Sequence, residues 1–358
     1  MEITRPSRQR QADLEVTARF IIFCTIAALS VAGPAQAEDC KLQSVASLDA
    51  TRTPDGLLAV PVSMGSERVN MLLDTGAERG VIDISVTQKM GLTPLKISAP
   101  PPIFNVRGAP FLSMVQFSQP DFYLADGTQL DHFVKIPVVT LGASNVEAAK
   151  FLLARFDEKD TPGIRGILGN NLLRNFDVEI DPAAGKVNLF SPDHCEGKVV
   201  YWAPAYADLP IHVGASGQVA FTMTLDGHDV ETILDTGAAH TTLNLRLAQQ
   251  LFGIDVKSPS VERVSGENGV PIYRTRFQML TAGGLAIKNP YIYLAPDQIA
   301  QRQMAKAMDD GFSGSAVSGA ARLILGMDAL SHLHFYIAYK ERKLYLTGSA
   351  PLPDAATK

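Results

Sequence analysis

The chain has 358 residues, 46% of them apolar and 19% charged, a globular composition that excludes a collagenous or disordered chain. At this length two domains are expected rather than one core. A formal net charge of -5, without long runs of one sign, argues against an electrostatic grip on nucleic acid or anionic lipid.

Residues 1–37 read as a signal peptide. Arg5, Arg8, Arg10 and Arg19 precede an apolar run from Phe20 to Ala32, and Ala35-Gln36-Ala37 has the small-x-small pattern of a cleavage site. The run is short against the roughly 20 residues that span a bilayer, so cleavage is expected over a retained anchor. No other stretch is long and apolar enough to span. The mature protein is therefore expected to be secreted or periplasmic, without stable membrane insertion. Cys24 leaves with the signal segment, and Cys40 and Cys195 remain; an even pair in an oxidising compartment suggests a disulfide, against two unpaired thiols as the alternative. Such a bridge would close a long loop, worth roughly 5 kcal/mol in the chain-entropy model.

Beyond the signal segment the chain repeats itself. Leu58 to Met64 is an alternating apolar segment that turns at Gly65-Ser66 and leads to Val69-x-x-Leu72-Leu73-Asp74-Thr75-Gly76-Ala77. Val219 to Leu225 turns at Asp226-Gly227 and leads to Val230-x-x-Ile233-Leu234-Asp235-Thr236-Gly237-Ala238. Each unit reads as a β-hairpin. A short helix-like stretch comes after it, ending at Met90-Gly91-Leu92 in one copy and Phe252-Gly253-Ile254 in the other, with Gly as a helix stop. Then come Gly166-Ile167-Leu168-Gly169-Asn170-Asn171-Leu172-Leu173 and Leu323-Ile324-Leu325-Gly326-Met327-Asp328-Ala329-Leu330; the spacing from aspartate to the later glycine is 95 residues in one half and 91 in the other. Strand patterns at Phe176/Val178/Ile180 with Val187/Leu189, and at Leu333/Phe335/Ile337 with Leu344/Leu346, close the two copies. Each half is thus mostly β with one or two short helices. The proline-bearing stretch from Ser191 to about Pro210 lacks periodicity and reads as the connection. The expected organisation is 1–37 signal peptide, 38–195 first lobe, 196–212 linker, 213–350 second lobe and 351–358 tail.

A lone Asp-Thr-Gly is weak, because Asp and Gly form turns. Here each copy follows two aliphatics of a buried strand, which carries a carboxylate into apolar surroundings at a cost of several kcal/mol. If the halves pack face to face, Asp74 and Asp235 meet, share one proton and titrate as a pair. That arrangement suits hydrolysis by direct water attack: the ionised member takes a proton from the water while the protonated member polarises the scissile carbonyl. Gly76 and Gly237 let backbone approach the carboxylates, and the hydroxyls of Thr75 and Thr236 can cross the seam to bond the opposite loop.

These residues resemble the aspartic proteases, retropepsin-like in each copy and pepsin-like in carrying two copies in one chain; the resemblance spans roughly Leu57 to Thr347. It implies a mainly β fold of two homologous acid-protease-type β-barrel lobes with pseudo-twofold symmetry, and an extended peptide or protein substrate in the cleft between them. It implies that Asp74 and Asp235 are the catalytic dyad, with Thr75, Gly76, Thr236 and Gly237 as supports. Ala77, Glu78 and Arg79 in one lobe, and Ala238, Ala239 and His240 in the other, map to substrate-touching positions. Gly80 departs from the hydroxyl residue common in the family, whereas Thr241 keeps it. Ala77 and Ala238 follow the retropepsin pattern and imply an optimum less acid than a gastric enzyme's. A flap is expected over residues 264–273, with Gly269 at its tip and Tyr273 as a flap side chain; residues 105–110 are the first-lobe counterpart. The implied activity is that of an exported aspartic endopeptidase acting as a monomer. The alternatives are a non-catalytic peptide-binding module on the same scaffold, or lobes that pair between chains.

No cofactor is expected. His332-Leu333-His334 could place two imidazoles on one strand face, but no third ligand has suitable spacing, so no metal site is expected. Patterns such as His-Glu-x-x-His, Gly-x-Ser-x-Gly, Cys-x-x-Cys and the P-loop do not occur. Residues 298–308 read as helix-like and 311–319 as a Gly/Ser loop.

Overall fold

A computed structural model of the protein describes residues 3–4, 41–97, 122–124, 128–159, 161–265, 271–295 and 322–349. Turn chemistry sets the first element of each half. Strands Leu58–Met64 and Glu67–Leu73 pair from Met64 opposite Glu67, and strands Val219–Leu225 and His228–Leu234 pair from Leu225 opposite His228. Each loop therefore has two residues. In the second, Asp226 and Gly227 both take positive φ, at 43° and 86°, as a right-twisting two-residue hairpin requires.

Each hairpin leads into the same weave. Glu67–Leu73 runs parallel to Ile164–Leu168, which is antiparallel to Val81–Asp83, which in turn lies parallel to Ser144–Ala154. His228–Leu234, Leu323–Leu325, Thr242–Asn244 and Tyr291–Ala295 repeat that order and those directions. Burial alternates along most of these strands, with Val69, Met71 and Leu73 facing the core in the first copy and Ile292 and Leu294 in the second, and becomes continuous where Ile233 and Leu234 approach the seam. In the first half the ring closes: Leu58–Met64 also pairs with His132–Leu141, through Val139 opposite Met64 and Thr140 opposite Ser63. The short helix Ile84–Lys89 is capped by the Asp83 carboxylate, which accepts from Ser85 N–H at 2.7 Å, and Leu245–Phe252 is capped by Asn244 in the same manner.

The halves join in a six-stranded sheet ordered Ala207–Pro210, Lys343–Gly348, Leu333–Ala338, Asp177–Asp181, Lys186–Phe190 and Ser44–Asp49. Its centre is an antiparallel pairing across the two copies, with Val178 opposite Ile337, Glu179 opposite Tyr336 and Ile180 opposite Phe335. The apolar core is continuous through this sheet, from Leu73 and Val178 to Leu234 and Phe335. The chain is mainly β and built from two copies of one topology.

The other face of the sheet packs a smaller apolar cluster, with Phe190, Tyr336 and Tyr345, beside buried charged groups that cross the seam. His194 pairs with Asp177 at 2.5 Å and with Glu341 at 3.3 Å; His334 pairs with Glu179 at 2.8 Å and with Asp181 at 3.4 Å. Tyr339 N–H and Tyr336 Oη donate to Asp177, Tyr201 Oη donates to Glu179, and Trp202 stacks on His334 with ring centroids 4.0 Å apart. Desolvation pushes the Asp177 carboxyl above its ordinary range despite its bonds to His194 and Tyr339.

Part of the expected linker 196–212 is regular structure. Ala207 and Leu209 alternate into the core, and the strand they form, Ala207–Pro210, pairs with Lys343–Gly348. Periodicity also misses the long hairpin of His132–Leu141 with Ser144–Ala154, and edge pairs such as Ser44–Asp49 on Lys186–Phe190 and Ile3–Thr4 on Leu285–Lys288. The rest of the signal segment, Cys40, residues 105–110, the flap tip 266–270 with Gly269, residues 298–319 and the tail lie outside the described residues. Cys195 is half-buried after the last strand of the first copy.

Candidate active site

Both aspartates stand one residue past a buried strand, where the weave delivers them to the seam. Asp74 N–H donates to the Leu168 carbonyl and Asp235 N–H to the Leu325 carbonyl, each at 3.1 Å. The strand ends are thereby fixed to the neighbouring strand of the same half. The threonines fix them to the other half. Thr75 Oγ1 donates to the Leu234 carbonyl at 2.8 Å, and Thr236 Oγ1 donates to the Leu73 carbonyl at 2.7 Å. Each hydroxyl also accepts the N–H of the opposite threonine, at 3.1 and 3.0 Å. Both side chains are fully buried, and all four bonds cross between the copies.

The carboxylates meet inside this frame. Asp74 Oδ1 accepts from Gly76 N–H at 2.9 Å and from Ala77 N–H at 2.7 Å. Asp235 Oδ1 accepts from Gly237 N–H at 2.8 Å, and Ala238 N–H also bears on that carboxyl. Burial and the negative Asp74 opposite push the Asp235 carboxyl far above its ordinary range, and the two carboxyls are hydrogen-bonded to each other. The pair therefore holds a proton at pH values where isolated aspartates have lost theirs.

Glycine is required here by close approach. A Cβ on Gly76 would lie 2.4 Å from Asp235 Cγ, and one on Gly237 would lie 2.3 Å from Asp74 Cγ. Gly237→Ala is accordingly expected to part the carboxylates, lowering any activity of the dyad by about a hundredfold or more while leaving the far-UV circular dichroism intact. A variant that keeps full activity would show that the close approach is not needed.

Outside the dyad the two loops differ. Thr241 Oγ1 donates to Asp328 Oδ1 at 2.6 Å and accepts from Gly326 N–H at 3.2 Å. Gly80, its counterpart, has no room for a hydroxyl: a Cβ would sit 2.7 Å from the Phe151 ring and 3.2 Å from the Ile167 carbonyl. Both loops keep the backbone bond, Asn171 Oδ1 accepting the Gly80 N–H at 2.6 Å as Asp328 Oδ1 accepts the Thr241 N–H at 2.9 Å, and the first lacks only the hydroxyl bonds. Phe151 fills the space that the hydroxyl occupies in the other copy.

The remaining expected site residues flank these loops. The Ala77 and Glu78 carbonyls accept from Asn170 and Asn171 N–H, and the Ala238 and Ala239 carbonyls accept from Met327 and Asp328 N–H. Glu78 pairs with the exposed Arg79 at 3.3 Å. His240 stacks on Tyr293, centroids 4.2 Å apart, with Nδ1 3.9 Å from Asp328. Tyr273 lies in strand Pro271–Arg276, opposite Arg263 and Leu294, with its side chain packed on the core. His334 is committed to its carboxylates and to the Trp202 indole, whereas His332 is exposed. Asn170, Gln218, Phe151 and Tyr293 are not legible in sequence as site residues, since each lies far along the chain from the motif it serves; the duplicated Leu-Gly segment is the one signal pointing to Asn170.

Residues 221–329 match the family model for aspartyl protease. No curated protein matches the chain. Among solved structures, the aspartic proteinase from Irpex lacteus is 14% identical with a TM-score of 0.46, the alignment covering 89% of this chain and 100% of that one. Basic 7S globulin from soybean is 11% identical with a TM-score of 0.43, covering 88% and 100%.

Proposed function

Since the second lobe carries the aspartyl protease family match, we propose that this chain is an aspartic-type endopeptidase in which water held between Asp74 and Asp235 attacks the scissile peptide carbonyl. One observation carries the reading: two carboxylates from duplicated segments face each other across a seam, each fed by backbone N–H donors and each backed by a glycine that admits the other. The ionised member accepts the proton of the water. The protonated member donates to the carbonyl oxygen as it becomes an oxyanion, and the proton then passes to the leaving nitrogen. No covalent intermediate is needed.

The substrate is an extended peptide, bound along the loops that carry Glu78-Arg79 and Ala239-His240. Those two pairs differ in charge and shape, so the two sides of the scissile bond should select different side chains. Residues 1–37 direct export and are removed. The test is a digest of a mixed peptide library by the purified protein across a pH series. Internal cleavage is expected, with a maximum above about pH 3 because neither loop places a hydroxyl at Ala77 or Ala238 to hold the dyad ionised. Recovery of the library uncut at every pH would refute the proposal, and an active protein whose first residue precedes Glu38 would refute the processing.

A further inference from the structure

The two dyad loops are not held alike. A peptide unit carries its C=O and N–H at opposite ends, so a donor placed on the carbonyl polarises the amide and strengthens the hydrogen bond that its N–H gives. Two such donors act on the loop of Asp74. Asn170 Nδ2 donates to the Thr75 carbonyl at 2.7 Å, and the N–H of that same peptide, on Gly76, donates to Asp74 Oδ1. Gln218 Nε2 donates to the Gly76 carbonyl at 2.7 Å, and the N–H of that peptide, on Ala77, donates to the same oxygen. Both backbone N–H donors to Asp74 Oδ1 are therefore the far ends of two-bond relays.

Gln218 reaches this loop from the other half of the chain, on a turn built to seat there. Gly217, at φ +82°, lies so close to Asn170 that a Cβ would come within 2.7 Å of the Asn170 Cβ, and Arg174 Nη1 donates to the Ala215 carbonyl at 3.3 Å. Asn170 is fully buried. Among the described residues the duplicate has neither donor. In register with Asn170 stands Met327, and in register with Gln218 stands Leu57. Gly56, which corresponds to Gly217, has nothing within 4 Å of its Cβ position, so that turn does not seat on the second loop as its twin does on the first.

We propose that Asn170 and Gln218 are positioning residues which, by polarising the two peptides that feed Asp74, make Asp74 the ionised member of the dyad and leave the shared proton on Asp235. Asp74 is then the general base and Asp235 the acid; those two roles rest on the proposed proteolysis, but the location of the proton does not. The charged groups on the surrounding elements are Asp235 across the seam, Glu78 and Arg79 further along the same loop, Arg174 after the helix Asn170–Leu173, His240 on the opposite loop and Asp328 in the helix Met327–Leu330. The 214–218 turn brings an amide and no charge, so its effect is carried by the relay.

The experiment is a carbon-13 titration of the aspartate carboxyls in the whole protein, assigned with Asp74→Asn and Asp235→Asn. In the parent the Asp74 signal should titrate at the lower pH. Gln218→Met keeps the shape and removes the donor, and it should raise the Asp74 transition by about half a pH unit; Gln218→Leu serves if the Met variant folds poorly. The acid limb of the kcat/KM profile should move by the same amount with KM nearly unchanged, a pattern that simple loosening of the turn does not produce. An Asp235 signal that titrates first, or Gln218 variants whose titrations superimpose on the parent, would overturn the assignment. A parent that cleaves no peptide yet shows the expected titration sinks the protease reading and keeps this one.

Discussion

Asp235→Asn should abolish peptide cleavage and at the same time raise the unfolding midpoint of the protein at neutral pH. The loss of cleavage is a matter of chemistry: an amide can neither share the dyad proton nor hand it to the carbonyl oxygen, and loss of one member of a catalytic unit costs about a thousandfold or more. The gain in stability is a matter of linkage. Burial and Asp74 raise the carboxyl of Asp235 above the value it has in the unfolded chain. The folded state therefore binds the proton more tightly, and its stability falls as pH climbs from the unfolded aspartate range through the raised folded value. The amide has no such slope. The gain should be absent near pH 3, grow with pH and level off above the folded transition, which denaturant melts at a series of pH values will show. Asp74→Asn should be equally inactive, since it removes the base and the charge that raises Asp235. A variant that cleaves like the parent would end the dyad as the source of activity; an inactive variant with no pH-dependent gain would end the buried, proton-sharing description of it.

His334→Ala should destabilise the whole molecule, not one lobe, by about 3–5 kcal/mol. His334 comes from the second copy, and both its ring nitrogens face carboxylates of the first, Glu179 and Asp181. Truncation leaves buried Glu179 with Tyr201 as its remaining partner and strips the stacking face from Trp202. Because the central strands of the six-stranded sheet carry both copies, a loss at this point loosens the frame that brings Thr75 to Leu234 and Thr236 to Leu73. Denaturation monitored by tryptophan fluorescence, which reports Trp202 alone, and by circular dichroism should shift together. Separate transitions would show instead that the lobes unfold independently and that the cluster does not couple them. His334→Asn or Gln, which keep one polar bond, should lie between.

Much of the fold is legible in the order of residues because the repeat supplies two readings of each element. The hairpins, the Asp-Thr-Gly turns and the Leu-Gly segments carry local signals: period-two alternation, turn formers and paired aliphatics. Ala207–Pro210 reads as part of a connector because nearby prolines outweigh a two-residue alternation, and only its pairing with Lys343–Gly348 makes it a strand. Ser44–Asp49 is likewise a strand by virtue of its partner. Edge strands owe their form to the sheet that receives them, and short ones announce it weakly in sequence.

The sequence alone determined that two identical acid-bearing turns exist, each at the end of a buried strand, and hence what chemistry they could share if they met. Tertiary structure decided that they do meet, through four hydrogen bonds between Thr75, Thr236 and the strand ends of the opposite copy. It also decided that the two copies are unequal, with Phe151 in the place of a hydroxyl and Gln218 reaching across to one loop. Strand and turn preferences act over a few residues and are written locally, whereas a partner 142 positions away is chosen by how whole surfaces pack.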